Sequence, residues 1–170
     1  RTINHVRTLK RSIDARHRDI FVNLKVRAYI NEVPHDEAFV KTEYPDVSSA
    51  PRVIVVGAGP GGLFAALRLI ELGLRPIVLE RGRPVEERTA DVERFWATGV
   101  LDTASNVQFG EGGAGTFSDG KLTTGTHDPR ISTVFRTLVE AGAPADILYQ
   151  HKPHIGTDIL RDVVRNVRRE

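Results

Sequence analysis

Hydrophobic and polar positions change their spacing along the chain, and the clearest change lies near its middle. Residues 53–56 are four consecutive β-branched residues, a run typical of a short strand that is buried on both faces of a parallel sheet. Apolar residues then recur at helical spacing, which predicts a helix over residues 60–72 that ends at Gly73. A second apolar run follows at residues 76–79. The pattern therefore predicts a strand–helix–strand unit.

Two further helical patterns follow this unit. The first covers residues 85–98 and ends at Gly99, a residue type that often terminates helices. It contains Phe95 and Trp96, which we expect in the core because of their size. The second covers residues 131–139.

The last part of the chain predicts one short strand and one more helix. The strand is expected at residues 147–149. Thr157 or Asp158 is a suitable cap for the helix, because both side chains accept hydrogen bonds from backbone amides. The apolar stripe of this helix comprises Leu160, Val163, Val164 and Val167. We expect this stripe to pack against a partner outside the chain.

Residues 1–49 differ from the rest and predict a small α/β module. One helical face is expected near the start, and residues 22–28 alternate between apolar and polar as a half-buried strand does. Residues 44–51 are bracketed by prolines and predict a linker to residues 50–170. A solvated helix face explains the early basic residues better than a nucleic-acid arm, since no aromatic residue is interleaved with them. The apolar positions of that face are Val6, Leu9 and Ile13.

A glycine fingerprint joins the first strand of the central unit to its helix. Gly57, Gly59 and Gly62 have the G-x-G-x-x-G spacing, which makes a tight turn, lets a pyrophosphate approach and packs helix on strand. Pro60 suits the first turn of the helix, whose free amides and positive dipole end favour an anion. The second strand ends in Glu80, 18 residues after Gly62, close to the ~20 expected of the acid that binds an adenosine ribose. Together these features predict dinucleotide binding.

Residues 110–121 form a second glycine-rich stretch, with five glycines in its first 11 residues. Such a stretch forms a poor helix or strand. Two interpretations remain open. In the first, the backbone amides of the stretch and the hydroxyls of Thr116 and Ser118 approach a flat or anionic ligand. In the second, the stretch is a flexible surface loop. The upstream fingerprint favours the first interpretation.

Composition excludes several classes of function. Twenty-four Lys and Arg against 22 Asp and Glu leave a net charge of +2, too small to favour nucleic acid or an anionic membrane as a partner. No stretch is long and apolar enough to span a bilayer, and we expect a cytoplasmic protein. The chain has no cysteine, which excludes disulfides and dithiol redox chemistry within it.

The histidines do not assign a catalytic or metal site. His151 and His154 are three residues apart, but two histidines without a third ligand are poor evidence for a metal, and we predict none. His127 and His151 remain open as general acids or bases. No catalytic residue is assigned.

In these motifs the sequence resembles the FAD-binding part of the glutathione reductase-like flavoproteins with two dinucleotide-binding domains, from residue 53 to about 121. More closely, residues 106–121 and 152–158 resemble a largely uncharacterised family of bacterial FAD-dependent dehydrogenases. Residues 10–16, Lys-Arg-Ser-Ile-Asp-Ala-Arg, resemble the small N-terminal domain of that family.

The resemblance implies a Rossmann-like FAD-binding domain over residues 50–170, preceded by the small α/β module. The redox cysteine pair, the late Gly-Asp strand and a second G-x-G-x-x-G of the broad group are missing, and the family's proteins are much longer. Because Arg1 is not an initiator methionine and Glu170 ends on a predicted helix, we expect a truncated N-terminal piece of a longer protein. On its own this piece is expected to be inactive.

The implied activity is FAD-dependent oxidoreduction, with the flavin transferring a hydride or electrons. The alternatives are an NAD(P)-dependent dehydrogenase and a non-catalytic dinucleotide-binding module. Expected partners are a small-molecule substrate or electron acceptor and the rest of the parent chain, with NAD(P)H as one candidate donor. The implied cofactor-binding residues are Gly57, Ala58, Gly59, Pro60, Gly61, Gly62, Glu80, Arg81, Gly112, Gly113, Ala114, Gly115, Thr116, Ser118, Asp119 and Lys121.

Overall fold

The computed structural model describes residues 2–32, 34 and 41–170; residues 1, 33 and 35–40 of the predicted N-terminal module lie outside them. The described part is mixed α/β, and none of its helices is long and apolar enough to cross a membrane. In chain order its elements are β1 (Ile3–Asp14), β2 (Phe21–Ile30), β3 (Arg52–Val56), α1 (Pro60–Glu71), β4 (Arg75–Leu79), α2 (Val85–Thr98), α3 (Ile131–Glu140) and α4 (Thr157–Arg169). Two short 3₁₀ helices, Ala114–Phe117 and Ala145–Leu148, lie before and after α3.

The first two elements form an antiparallel hairpin, so the predicted N-terminal helix is wrong. Val6 lies opposite Ala28 and Ile13 lies opposite Val22, with a register shift in β1 between these pairs. The shift adds one residue to β1, and two positions seven apart therefore share one face of the strand. Seven residues are also two helical turns, which is why the pattern resembled a helix.

The strand predicted at residues 22–28 is confirmed as part of β2, but its half-burial is wrong. Val22 and Leu24 are 51% and 56% exposed, and Val26 and Ile30 of the same strand are also exposed. The hairpin is joined to the rest of the chain by backbone hydrogen bonds at Arg11, whose amide donates to the Tyr149 carbonyl over 2.8 Å. The Arg11 carbonyl accepts a hydrogen bond from the amide of His151 over 2.9 Å.

The central strand–helix–strand unit is confirmed. β3 and β4 pair in parallel, with Val53 opposite Pro76 and Val56 opposite Leu79. α1 connects them, and it contacts both strands. The predicted burial of β3 on both faces is wrong, because Val56 is 84% exposed.

The glycine that ends α1 also directs the chain into β4. Gly73 has φ +72°, its amide donates to the Ile70 carbonyl over 2.9 Å, and the Leu74 amide donates to the Leu69 carbonyl over 2.9 Å. These are the two hydrogen bonds of a Schellman motif, for which glycine is preferred because it has no Cβ. The helix end predicted from Gly73 is thus confirmed.

Helix α2 is confirmed with its end at Gly99, which has φ +72°. The prediction that Trp96 belongs to the core is wrong, since the residue is 63% exposed. The buried face of α2 instead includes two charged residues, and its members are Val85, Arg88, Asp91 and Val92.

The main hydrophobic core lies between α1, α3, the second 3₁₀ helix and α4. The apolar stripe of α4 is buried there, with Val163 1% exposed, so the expectation that it awaits an outside partner is wrong. The predicted strand at residues 147–149 is also wrong, because Ile147 belongs to the 3₁₀ helix and enters this core. No side chain caps α4; the Thr157 hydroxyl instead donates to the Ser118 carbonyl over 2.7 Å.

The predicted linker, residues 44–51, is held at its first residue, since Tyr44 packs against the core cluster. Just before the linker, the Thr42 amide donates to the Glu140 carboxylate over 3.1 Å. Burial raises the pKa of Tyr44 to about 12, helped by the negative charges of nearby Glu71, Glu140 and Glu170. Residues 42–44 are therefore fixed to the C-terminal helices.

Candidate dinucleotide-binding site

The turn between β3 and α1, residues 57–62, is called the dinucleotide turn. Gly57 has φ +97°, and its amide donates to the Leu79 carbonyl at the end of β4 over 2.7 Å. A Cβ on Gly62 would overlap the Gly57 carbonyl oxygen and lie 3.5 Å from Val55 Cγ1. Gly62 therefore has a packing role, since only glycine lets the helix start lie this close to the strand.

Two other glycines of the turn face open space. A Cβ on Gly59 or Gly61 would meet no atom within 4 Å. Gly59 precedes the first residue of α1, and no side chain caps this helix. The first amides of an uncapped helix start are free to bind an anion, and these two glycines leave room for one.

Glu80 follows β4 and joins the dinucleotide turn to the next turn of the chain. Its carboxylate accepts hydrogen bonds from the amides of Ala58 over 2.8 Å and Gly82 over 2.7 Å. Burial alone raises the pKa of Glu80, but hydrogen bonds from the amides of Ala58, Gly82 and Arg81 outweigh it, and the pKa lies below its usual range. The carboxylate therefore stays ionised at neutral pH. The Arg81 guanidinium lies 5.1 Å from the Phe109 ring centre.

Residues 110–121, the second glycine segment, begin against the dinucleotide turn. The Gly112 amide donates to the Ala58 carbonyl over 2.8 Å. A Cβ on Gly113 would lie 3.2 Å from Pro60 Cδ and 3.6 Å from the Gly59 Cα. Two glycine-rich stretches that are about 50 residues apart in sequence thus lie in direct contact.

The middle of the second glycine segment is the 3₁₀ helix Ala114–Phe117. Thr116 is 1% exposed, and its hydroxyl has no hydrogen-bond partner among the described residues. Gly115 faces open space. Ser118 bonds within the segment, since its hydroxyl donates to the Gly115 carbonyl over 2.7 Å.

The end of the segment turns toward the surface. Lys121 Nζ lies 3.0 Å from Asp119 Oδ2, and both side chains are mostly exposed. This hydrogen bond from Lys121 holds the pKa of the Asp119 carboxyl below its usual range. Lys121 also pairs with His154 through an isolated β-bridge. The contacts of Asp119 and Lys121 are thus with each other and with residues 154–156, rather than with the dinucleotide turn.

Two buried charged residues that sequence reasoning missed support this site. Arg88 is fully buried and donates to the carbonyls of Asn106, Val107 and Glu111 over 2.8, 2.9 and 2.5 Å. Burial lowers the pKa of Arg88, and the charges of Glu80 and Glu111 oppose that shift. The available signal was a charged residue at helical spacing between the apolar residues Val85 and Val92.

Glu111 is the second missed residue, and it is 4% exposed. Its carboxylate accepts hydrogen bonds from the Val85 amide over 2.7 Å and from the Arg168 guanidinium over 2.8 Å. A carboxylate at the start of a helix satisfies a free amide and interacts well with the helix dipole. Glu111 therefore joins the second glycine segment to the start of α2.

A cleft of about 560 Å³ lies beside Glu80. Apolar side chains of α1 and β4 line it, together with the charged residues Glu80, Glu111, Arg168 and Glu170. A mostly apolar cleft with a few polar groups is typical of cofactor sites. By contrast, the described residues contain no group of three or more His, Asp or Glu placed to hold a metal, and His127, His151 and His154 are exposed.

Comparison with known proteins supports a flavoprotein. Residues 52–119 match a family described as FAD binding domain, and residues 1–29 match a family described as a domain of unknown function. An uncharacterized protein of Clostridium beijerinckii is 47% identical over 183 aligned residues, which cover 99% of this chain and 34% of that protein. The chain thus spans about a third of the relative's length. FAD is supported as the cofactor, whereas NAD(P)H is not.

The site fits FAD in the groups it offers. The uncapped start of α1 and the open space at Gly59 and Gly61 suit a pyrophosphate. The ionised Glu80 carboxylate suits ribose hydroxyls. The family match covers the dinucleotide turn, Glu80 and the second glycine segment as far as Asp119.

Proposed function

We propose that this chain is the FAD-binding part of a Rossmann-like oxidoreductase, a dehydrogenase whose substrate binds in large part to residues outside it. The observation that carries the proposal is the hydrogen bond between the Gly112 amide and the Ala58 carbonyl. It places a second glycine-rich surface beside a dinucleotide turn that already has an acid at the end of the next strand. A nicotinamide dehydrogenase needs the turn and the acid, but not the second segment.

The dinucleotide turn holds the pyrophosphate in this proposal. The amides at the start of α1 donate to it, and the helix dipole favours the anion by up to ~2 kcal/mol. Gly59 and Gly61 contribute space rather than contacts, since a Cβ at either position would point into the open region beside the turn.

Glu80 accepts from the adenosine ribose while it keeps its backbone contacts. The two carboxylate oxygens have about four lone-pair sites, and the amides of Ala58, Gly82 and Arg81 use up to three of them. At least one acceptor site is therefore left for a ribose hydroxyl. Because the pKa of Glu80 is lowered, the carboxylate remains an acceptor over the physiological pH range.

The second glycine segment orients the other end of the cofactor and excludes water there. When bound, FAD supplies the hydride or electron transfer, and the protein tunes its electronics. Gly115 leaves the backbone on this side open to a flat ring, whereas the amides of Gly112, Gly113 and Thr116 donate to carbonyls of the protein and hold the shape of the segment. The electron donor is left unassigned.

A pair of glycine substitutions tests the proposal. Gly59→Val fills the space proposed for the pyrophosphate, whereas Gly125→Val makes the same change at another glycine whose Cβ would meet no atom within 4 Å. In FAD titrations of the full-length apoprotein, we expect Gly59→Val to weaken binding at least 100-fold, about 2.7 kcal/mol. Gly125→Val should bind as the wild type does. Equal, tight FAD binding by the Gly59→Val variant would refute the proposed site.

A further inference from the structure

The strongest unassigned feature is the set of hydrogen bonds made by Arg88. Its Nε, Nη1 and Nη2 atoms all donate to backbone carbonyls, and those carbonyls belong to residues 106–111. The Arg88 guanidinium also lies 4.8 Å from the ring centre of Phe117, a residue of the second glycine segment. One buried side chain therefore contacts the backbone before and at the start of that segment and an aromatic ring within it.

The peptide between Glu111 and Gly112 is held from both sides. Its carbonyl accepts from Arg88 over 2.5 Å, and its amide donates to the Ala58 carbonyl of the dinucleotide turn over 2.8 Å. In a trans peptide the C=O and N–H groups point in opposite directions. Arg88 therefore orients the amide that joins the two glycine-rich stretches.

Glu111 makes the reciprocal contact from the segment back to α2. Its side chain accepts from the Val85 amide at the start of the helix that carries Arg88. Arg168, near the end of α4, reaches the same carboxylate oxygen and also bonds Glu86 over 2.6 Å. The helix and the segment are thus connected in both directions.

The glycines of this region let the backbone lie directly on Arg88. Gly110 has φ +121°, and a Cβ there would lie 2.6 Å from Arg88 Cδ. A Cβ on Gly82, just after Glu80, would overlap the Gly110 backbone. The turn that follows Glu80, the second glycine segment and Arg88 are therefore in close contact.

We infer that Arg88 and Glu111 are positioning residues that hold the second glycine segment against the dinucleotide turn before the cofactor binds. The inference rests on the proposed function, because FAD is the ligand of the positioned segment. Arginine is required at this position, since a planar guanidinium with five donors can bond carbonyls in several directions at once. A lysine has only three donors on a single nitrogen.

The test compares Arg88→Lys with the wild type in the full-length protein. Hydrogen exchange is measured in the FAD-free protein over residues 106–117, and the Kd for FAD is measured by titration. We expect exchange over residues 106–117 to become at least tenfold faster, exchange in α1 to stay unchanged, and FAD to bind at least tenfold more weakly. A segment that is as protected in Arg88→Lys as in the wild type would overturn the inference.

Arg94→Lys is the matched control, because Arg94 lies on the same helix with its guanidinium half-exposed and 3.0 Å from Asp91. It should leave both measurements unchanged. Should Arg88→Lys fail to fold, Glu111→Gln keeps an acceptor for the Val85 amide but loses the charge opposite Arg168. We expect roughly threefold faster exchange over the same residues, and no change in exchange or Kd would overturn the inference. If the wild type binds no FAD but Arg88→Lys still exchanges faster over these residues, the positioning role is supported and FAD as the ligand is contradicted.

Discussion

Neighbouring glycines in the dinucleotide turn should respond to alanine in opposite ways, because one packs against protein and the other does not. An alanine Cβ at position 62 would overlap the Gly57 carbonyl oxygen and lie 3.0 Å from the Gly57 carbonyl carbon. These are backbone atoms held by the hydrogen bond from the Gly57 amide to the Leu79 carbonyl. The helix start must therefore shift away from β3.

The size of the effect follows from the kind of contact. Forcing extra methyl groups into packed positions costs about 1–3 kcal/mol, occasionally more, and a rigid backbone clash places Gly62→Ala near ~3 kcal/mol. At position 61 the added Cβ meets nothing within 4 Å, and alanine is the better helix former. Gly61→Ala should therefore stabilise the protein by roughly 0.5–1 kcal/mol. The two variants should differ by about 4 kcal/mol.

Urea unfolding of the FAD-free protein measures this difference directly, and FAD titration separates it from binding. Gly61→Ala should be more stable than the wild type yet bind FAD more weakly, since its methyl group enters space proposed for the pyrophosphate. Equal stability of Gly62→Ala and the wild type would refute the packing role of Gly62.

Three further predictions follow from individual side chains. The pKa of Glu80 is lowered from its ordinary 4.5, so its ionised form stabilises the fold above that pH, and the benefit is lost as pH falls through the folded-state pKa. The difference in unfolding free energy between the wild type and Glu80→Gln, measured in urea, should therefore shrink on acidification. A pH-independent difference would contradict this. Lys121 is mostly exposed and paired with Asp119, so Lys121→Ala should lower the flavin midpoint potential by less than about 30 mV, the equivalent of ~1.4 kcal/mol for two electrons. If potentiometric titration shows a larger fall, the lysine acts on the flavin directly. Trp96 is the only tryptophan of the chain and is 63% exposed, so acrylamide should quench its fluorescence almost as well as in the unfolded 170-residue chain; strong protection would contradict its position.

The central unit could be predicted from sequence because its determinants are local. The helix end at Gly73 depends on residues a few positions apart, and Glu80 contacts the turn after Gly57 within a single strand–helix–strand unit. The hairpin could not be predicted, because the bulge in β1 converts a strand pattern into one of helical period. Its register depends on β2, which is distant from much of β1 in the sequence.

Long-range packing explains the other differences. Helix α4 packs on the first 3₁₀ helix, α2 and α3, and nothing in its own pattern identifies these partners. The sequence analysis does not single out Arg88 or Glu111, and their burial depends on backbone groups supplied by distant residues. The candidate site was therefore predictable in its glycines and its acid, but not in the charged residues that support it.

We propose that this chain contributes the dinucleotide turn and second glycine segment of an FAD site, and the cofactor of the purified full-length protein tests that proposal. The measurement is the visible absorption spectrum, followed by denaturation and identification of the released nucleotide. We expect the absorption bands of oxidised flavin and about one equivalent of FAD per chain. A colourless protein that stays so after incubation with FAD, or one that releases a nicotinamide dinucleotide instead, would contradict it.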